Sequence, residues 1–135
     1  NAGKPFDEAV MDKIIDAMKA SYIAGITILG GEPFEYVNQE GLLPLLKKVK
    51  ETYPEKDVWC FTGYLFDKDI IDAMTKESPY TSELLKYIDV IVDGPFIEEQ
   101  RNLMLKFKGS ENQRTIDVQK SLEAGYVIER EGYES

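Results

Sequence analysis

No histidine occurs anywhere in the 135 residues, and cysteine occurs once, as Cys60. The first absence removes Ser-His-Asp and Cys-His catalysis together with the commonest metal ligand. The second excludes an internal disulfide, and a lone thiol cannot hold zinc or an iron–sulfur cluster. Set in the apolar run Val58-Trp59-Cys60-Phe61, that cysteine reads as a small buried core residue. Long hydrophobic runs are missing as well, since no stretch approaches the roughly 20 apolar residues needed to cross a bilayer and none is built like a signal peptide. A cytoplasmic protein is the expectation. Positive charge is scarce: 16 Lys and Arg stand against 25 Asp and Glu, a formal net charge of -9. That balance argues against nucleic acid and anionic membrane as partners. Neither a Gly-x-x-x-x-Gly-Lys-Ser/Thr loop nor Gly-x-Gly-x-x-Gly is present, which argues against a phosphate-binding nucleotidase.

What is present, 43% hydrophobic and 30% charged residues, predicts one globular domain over 1–135 without linker, repeat or low-complexity segment. Asp7 is placed to cap a helix with apolar positions Val10, Ile14, Ala17 and Met18, and Gly25 then precedes a strand Ile26–Leu29. Asn38 to Tyr53 carries Leu42, Leu43, Leu45, Leu46 and Val49, an amphipathic helix with Lys47, Lys48 and Lys50 as a solvated face. Pro44 requires either a first-turn position or a kink. Val58 to Phe61 reads as a buried strand that stops at Thr62-Gly63-Tyr64. Asp67 is placed to cap a short helix through Ile70, Ile71 and Met74, Ser78-Pro79 interrupts it, and Ser82 to Tyr87 adds another helical piece. Ile88 to Val92 reads as a third strand ending at Asp93-Gly94-Pro95-Phe96, and residues 106–118 place a polar turn before a last short strand.

Apolar strands alternating with helices imply an α/β fold with a mainly parallel sheet and right-handed crossovers. A complete β/α barrel usually takes about 250 residues, so an incomplete barrel is predicted. Glu32, Thr62 and Asp93 then share the carboxyl-terminal edge, where such sheets bind ligands. Gly30-Gly31-Glu32-Pro33 is the most pointed feature of that edge. The glycines allow close approach to the main chain, Glu32 supplies negative charge and Pro33 stiffens the exit, a seat for a cationic group such as an amine. Asn112, Gln113 and Arg114 can hydrogen-bond sugar hydroxyls, an adenine edge or a carboxylate, or form an ordinary surface loop.

Four blocks carry a resemblance: Gly-Ile-Thr-Ile-Leu-Gly-Gly-Glu-Pro-Phe (25–34), Phe-Thr-Gly-Tyr (61–64), Ile-Asp-Val-Ile-Val-Asp-Gly-Pro-Phe (88–96) and Gly-Ser-Glu-Asn-Gln-Arg (109–114). In order and spacing the chain, from about Gly3 to Val118, resembles the anaerobic ribonucleoside-triphosphate reductase activating proteins, small members of the radical S-adenosylmethionine superfamily. The resemblance implies a glycyl-radical activase. In that family a [4Fe-4S] cluster, reduced by a flavodoxin-type donor, cleaves S-adenosylmethionine to a 5′-deoxyadenosyl radical. That radical takes a hydrogen atom from a glycine of the large subunit of anaerobic ribonucleotide reductase. The cofactor carries the chemistry and the protein positions it. By the same resemblance Gly30, Gly31, Glu32 and Pro33 orient the methionine amino group, Thr62 and Asp93 flank the S-adenosylmethionine site, and Asn112 to Arg114 form a late subfamily motif. Tyr64 and Phe96 would wall the pocket.

One family feature is absent. The cluster motif Cys-x-x-x-Cys-x-x-Cys, which in the family lies ahead of a segment like Gly3-Lys4-Pro5-Phe6, does not occur. Together with Asn1-Ala2, which reads as the remnant of a cleaved tag, this predicts an N-terminally truncated chain lacking a first strand and cluster loop. Such a chain holds no metal ligand or catalytic residue of its own, should neither bind the cluster nor cleave S-adenosylmethionine, and should expose a sheet edge. The alternative is a non-catalytic adenosine-ligand binding or regulatory module. A signalling receiver domain is disfavoured because Thr62 precedes Asp93 and no strand-end lysine follows.

Overall fold

The computed structural model describes residues 7–28, 32–95 and 112–130. Asp7 opens the first helix as expected: its carboxylate accepts the Val10 N–H at 2.8 Å and caps α1 (Glu8–Ala17). The buried stripe differs from the predicted one. Met11 and Met18 are buried and Ile14 and Ile15 half-buried, whereas Val10 and Ala17 face solvent. Met11, Ile14, Ile15 and Met18 form one row at helical spacing, and Val10 falls just beyond its rim.

The chain turns back into β1 (Gly25–Ile28). Leu29, the predicted end of this strand, lies outside the described residues. The turn is fastened from a distance by Lys56, a buried lysine whose ammonium donates to the carbonyls of Ala20 (2.8 Å) and Ile23 (2.6 Å) and sits 5.1 Å from the Tyr53 ring centroid. α2 (Tyr36–Thr52) buries Leu42, Leu45, Leu46 and Val49, and Pro44 lies inside it rather than in its first turn. The lysine face is not simply solvated. Only Lys47 is fully exposed; Lys48 pairs with Asp12 on α1 at 2.6 Å and Lys50 with Asp89 at 2.6 Å.

β2 (Asp57–Phe61) alternates in burial, with Val58 and Cys60 inward. Beyond it Phe66–Met74 winds as a π-helix, with Ile70 N–H bonded five residues back to the Leu65 carbonyl at 3.1 Å, and runs on into the single turn α3 (Thr75–Glu77). Asp67 does not cap this element. The start is closed instead by Asp69, which accepts the Leu65 N–H at 2.7 Å, while Asp67 turns to Arg114. α4 (Thr81–Leu85) follows, then β3 (Val90–Asp93), buried at every position, and β4 (Arg114–Asp117). α5 (Val118–Ala124) was not expected from the sequence; Asp117 caps it through the Lys120 N–H at 3.0 Å and Gly125, at φ 84°, ends it.

The strands form one sheet in the order β1-β2-β3-β4, parallel from β1 to β3 as predicted, with β4 antiparallel to β3. This is the mainly parallel, partial-barrel α/β arrangement that the alternation implied. The core lies where α2, the π-helix and α4 pack on the sheet face carrying Val58, Cys60, Ile91 and Ile116. Because β4 runs backwards, its first residue reaches the edge at which the other strands end: Arg114 stands opposite Asp93.

Candidate functional site at the strand edge

Glu32 follows β1 and bridges to the end of β2. Its carboxylate accepts the Phe34 N–H (2.9 Å), the Thr62 hydroxyl (2.7 Å) and the Gly63 N–H (2.7 Å). Its carbonyl accepts the Asn38 side-chain amide at 2.8 Å, tying the same residue to the first turn of α2. Pro33 is buried beside it. A carboxylate offers about four acceptor sites, so Glu32 is held rigidly by three donors and, among the described residues, keeps a further site for an incoming one. Gly30 and Gly31, predicted to complete this seat, lie outside the described residues, as does Phe96.

Thr62 is buried and central. Its backbone N–H bonds to the Val92 carbonyl at 3.0 Å, which links the ends of β2 and β3, and its hydroxyl accepts the Tyr64 N–H at 3.1 Å. Gly94, at φ 95°, turns the chain out of β3 in a conformation that L side chains rarely adopt.

Asp93 has no solvent exposure. It accepts the Phe66 N–H at 2.7 Å and a two-pronged contact from Arg114, Nε to Oδ1 at 3.0 Å and Nη2 to Oδ2 at 2.6 Å. Arg114 also donates to Asp67 at 2.9 Å. These bonds, to Asp93 above all, raise the guanidinium's pKa further, and the Arg114 bond holds the Asp67 carboxyl below its ordinary range. Asn112 donates to the Pro95 carbonyl (2.7 Å) and Gln113 to the Gly94 carbonyl (2.9 Å).

The edge therefore gathers Glu32, Pro33, Thr62, Asp93, Asn112 and Arg114 as two adjoining clusters. One, around Glu32, keeps net negative charge and unused acceptor capacity among the described residues. In the other, Asp93 and Arg114 neutralise each other, so they set the shape of the edge. Two participants were missed in the sequence. Asp67 lies 47 residues from Arg114, and nothing local marks the pair. Glu35 accepts the Tyr64 hydroxyl at 2.6 Å, and only its place at the mouth of α2 hinted at a role.

Residues 1–116 match the family model described as a 4Fe-4S single cluster domain. The residues present do not fit such a cluster, which takes four thiolates or nearly so. Cys60 is the chain's one cysteine, and burial pushes its thiol pKa up, with the Glu32 charge adding to the effect. Among the described residues no group of three His, Cys, Asp or Glu could hold a metal.

Within that class, the chain is similar to proteins named anaerobic ribonucleoside-triphosphate reductase-activating protein. The one from Haemophilus influenzae is 39% identical over 115 residues, covering 84% of this chain and 69% of the relative. Those from Pasteurella multocida (38% over 114 residues; 83% and 68%) and Escherichia coli K12 (32% over 115 residues; 84% and 70%) are similar in the same way. The chain belongs to this family of reductase-activating proteins. No solved structure matches it. Among the described residues no helix is long and apolar enough to cross a membrane.

Proposed function

We propose that this chain is the S-adenosylmethionine-holding part of a glycyl-radical activase that acts on the large subunit of anaerobic ribonucleotide reductase, with a flavodoxin-type electron donor. The observation that carries the reading is the convergence of Glu32, Thr62, Asp93, Asn112 and Arg114 on one sheet edge in a chain of this family. S-adenosylmethionine bears an ammonium and a sulfonium, and Glu32 presents a fixed carboxylate that meets only three neutral donors among the described residues. Gly30 to Pro33, Thr62 and Asn112 are the residues that would hold it, on an edge whose shape Asp93 and Arg114 set. Once bound, S-adenosylmethionine supplies the hydrogen-abstracting chemistry of such activases. The chain's own contribution is binding and orientation, and its residues provide no cluster ligands. It is expected to bind S-adenosylmethionine without cleaving it.

Calorimetric titration with S-adenosylmethionine tests this. Saturable binding is expected, about tenfold weaker in the near-isosteric Glu32→Gln, with no 5′-deoxyadenosine released under dithionite. Absence of binding by the folded chain overturns the reading. The single cysteine favours one alternative, a non-catalytic adenosine-ligand module. It predicts equal affinity for adenosine itself, which the first reading does not.

A further inference from the structure

Between the amino-terminal turn of α2 and the carboxyl-terminal half of the π-helix lies a cleft of about 260 Å3, lined by aromatic Tyr36 and Tyr64, apolar Met74 and acidic Glu35, Asp69 and Glu77. Several carboxylates elsewhere are paired, since Asp12, Asp57, Asp67, Asp89 and Asp93 each meet a lysine or arginine. The three acids of the cleft meet only neutral donors among the described residues. Tyr64 donates to Glu35 at 2.6 Å, Tyr36 donates to Glu77, and the Leu65 N–H donates to Asp69 at 2.7 Å. Three negative charges thus surround one opening, with no cation between them among the described residues. The phenols register the field: the Tyr64 pKa is pushed up to about 12, first by its hydrogen bond to Glu35, and Tyr36 is raised by Glu77.

The neighbouring surface is apolar where it need not be. Tyr36 is 44% and Val37 65% exposed on the outer face of the same helical turn. Tyrosine is enriched among the residues that anchor protein interfaces. The volume is below the roughly 300–1,000 Å3 of pockets that enclose whole small molecules, and suits one long side chain. A planar guanidinium uses both kinds of lining at once, stacking on the tyrosine rings while its edges reach carboxylates on two sides.

We propose that this cleft docks an arginine side chain presented on the surface of a protein partner. Charge complementarity, an open rim of Tyr36 and Val37 and room for one side chain commit it to that occupant. The proposal does not depend on S-adenosylmethionine binding.

The test is an NMR titration of the 15N-labelled chain with acetyl-Gly-Arg-Gly-amide, its lysine counterpart and its neutral citrulline counterpart. Saturable shifts at the Tyr36, Tyr64 and Met74 amides are expected with the arginine peptide, and they should weaken as salt rises. In Glu35→Gln/Glu77→Gln, which keeps an acceptor for each tyrosine hydroxyl, binding should fall about tenfold. Glu77→Gln alone, at an exposed position, should give about a threefold loss if the double variant does not fold. No shift at these amides, an equal response to citrulline, or affinity unchanged in the variants overturns the docking site. An equal response to lysine overturns the arginine assignment.

Discussion

Asp93 shows what a single strand-end residue does in this fold. A carboxylate without solvent exposure meets the Phe66 N–H and both prongs of Arg114, so it fastens the start of the π-helix and the start of β4 to the end of β3. Removing one charge of a buried pair leaves the other uncompensated, a larger effect than losing an exposed pair. Asp93→Asn is therefore expected to cost about 3 kcal/mol in urea denaturation, against less than about 1 kcal/mol for Asp67→Asn on the same arginine. Equal losses would show that the guanidinium, and not the buried carboxylate, organises the edge. The positions of Glu32, Thr62 and Asp93 were legible because each lies at or just past the end of an apolar run, and strand ends are simple to read. Their partners were not. Asp67 stands at a helix start and looks like a cap, but its strongest partner is the Arg114 guanidinium from β4.

At the scale of elements, Gln39 is the joint. Entirely buried on α2, it donates to the Phe34 carbonyl at 2.9 Å and accepts the hydroxyls of Ser78 (3.2 Å) and Thr81 (2.6 Å). One side chain thus holds the turn after Glu32 against the segment that leads into α4. Gln39→Ala would orphan a carbonyl and two hydroxyls and open a void, and a loss of about 3 kcal/mol in thermal or urea unfolding is expected. A neutral result would mean that water replaces the amide fully. Glutamine inside an apolar stripe gives no sign in the sequence that it is a hub, because its partners lie about 40 positions away. The π-helix was equally hidden, since Ile70, Ile71 and Met74 satisfy α-helical spacing too. α5 did leave a signal, Asp117 at its start and Gly125 past its end, but seven residues are too few to display a helical apolar period.

For the whole molecule the sheet sets the hierarchy of stability. β3 is flanked on both sides and buried throughout, while α1 buries only Met11 and is held to the rest by Lys48–Asp12 and by the Tyr53 hydroxyl on the Ile15 carbonyl at 2.8 Å. Hydrogen exchange should accordingly be slowest at Cys60 and Ile91 and fastest, among regular elements, in α1. Uniform protection across α1 and β3 would show a single cooperative unit instead. The alternation of apolar strands and helices made this architecture readable, because burial on both faces forces it. The reversed sense of β4 was not readable, since a short apolar segment pairs as well one way as the other.

That reversal reaches beyond packing. Asp93 with Arg114, Gly94 with Gln113 and Pro95 with Asn112 act as a clasp that fixes positions 95 and 112 relative to each other. Closing a chain grows only logarithmically costly with its length, about 0.6 kcal/mol for each doubling. The cost of joining positions 95 and 112 therefore depends little on how much chain lies between them, because the three pairs hold both positions in place.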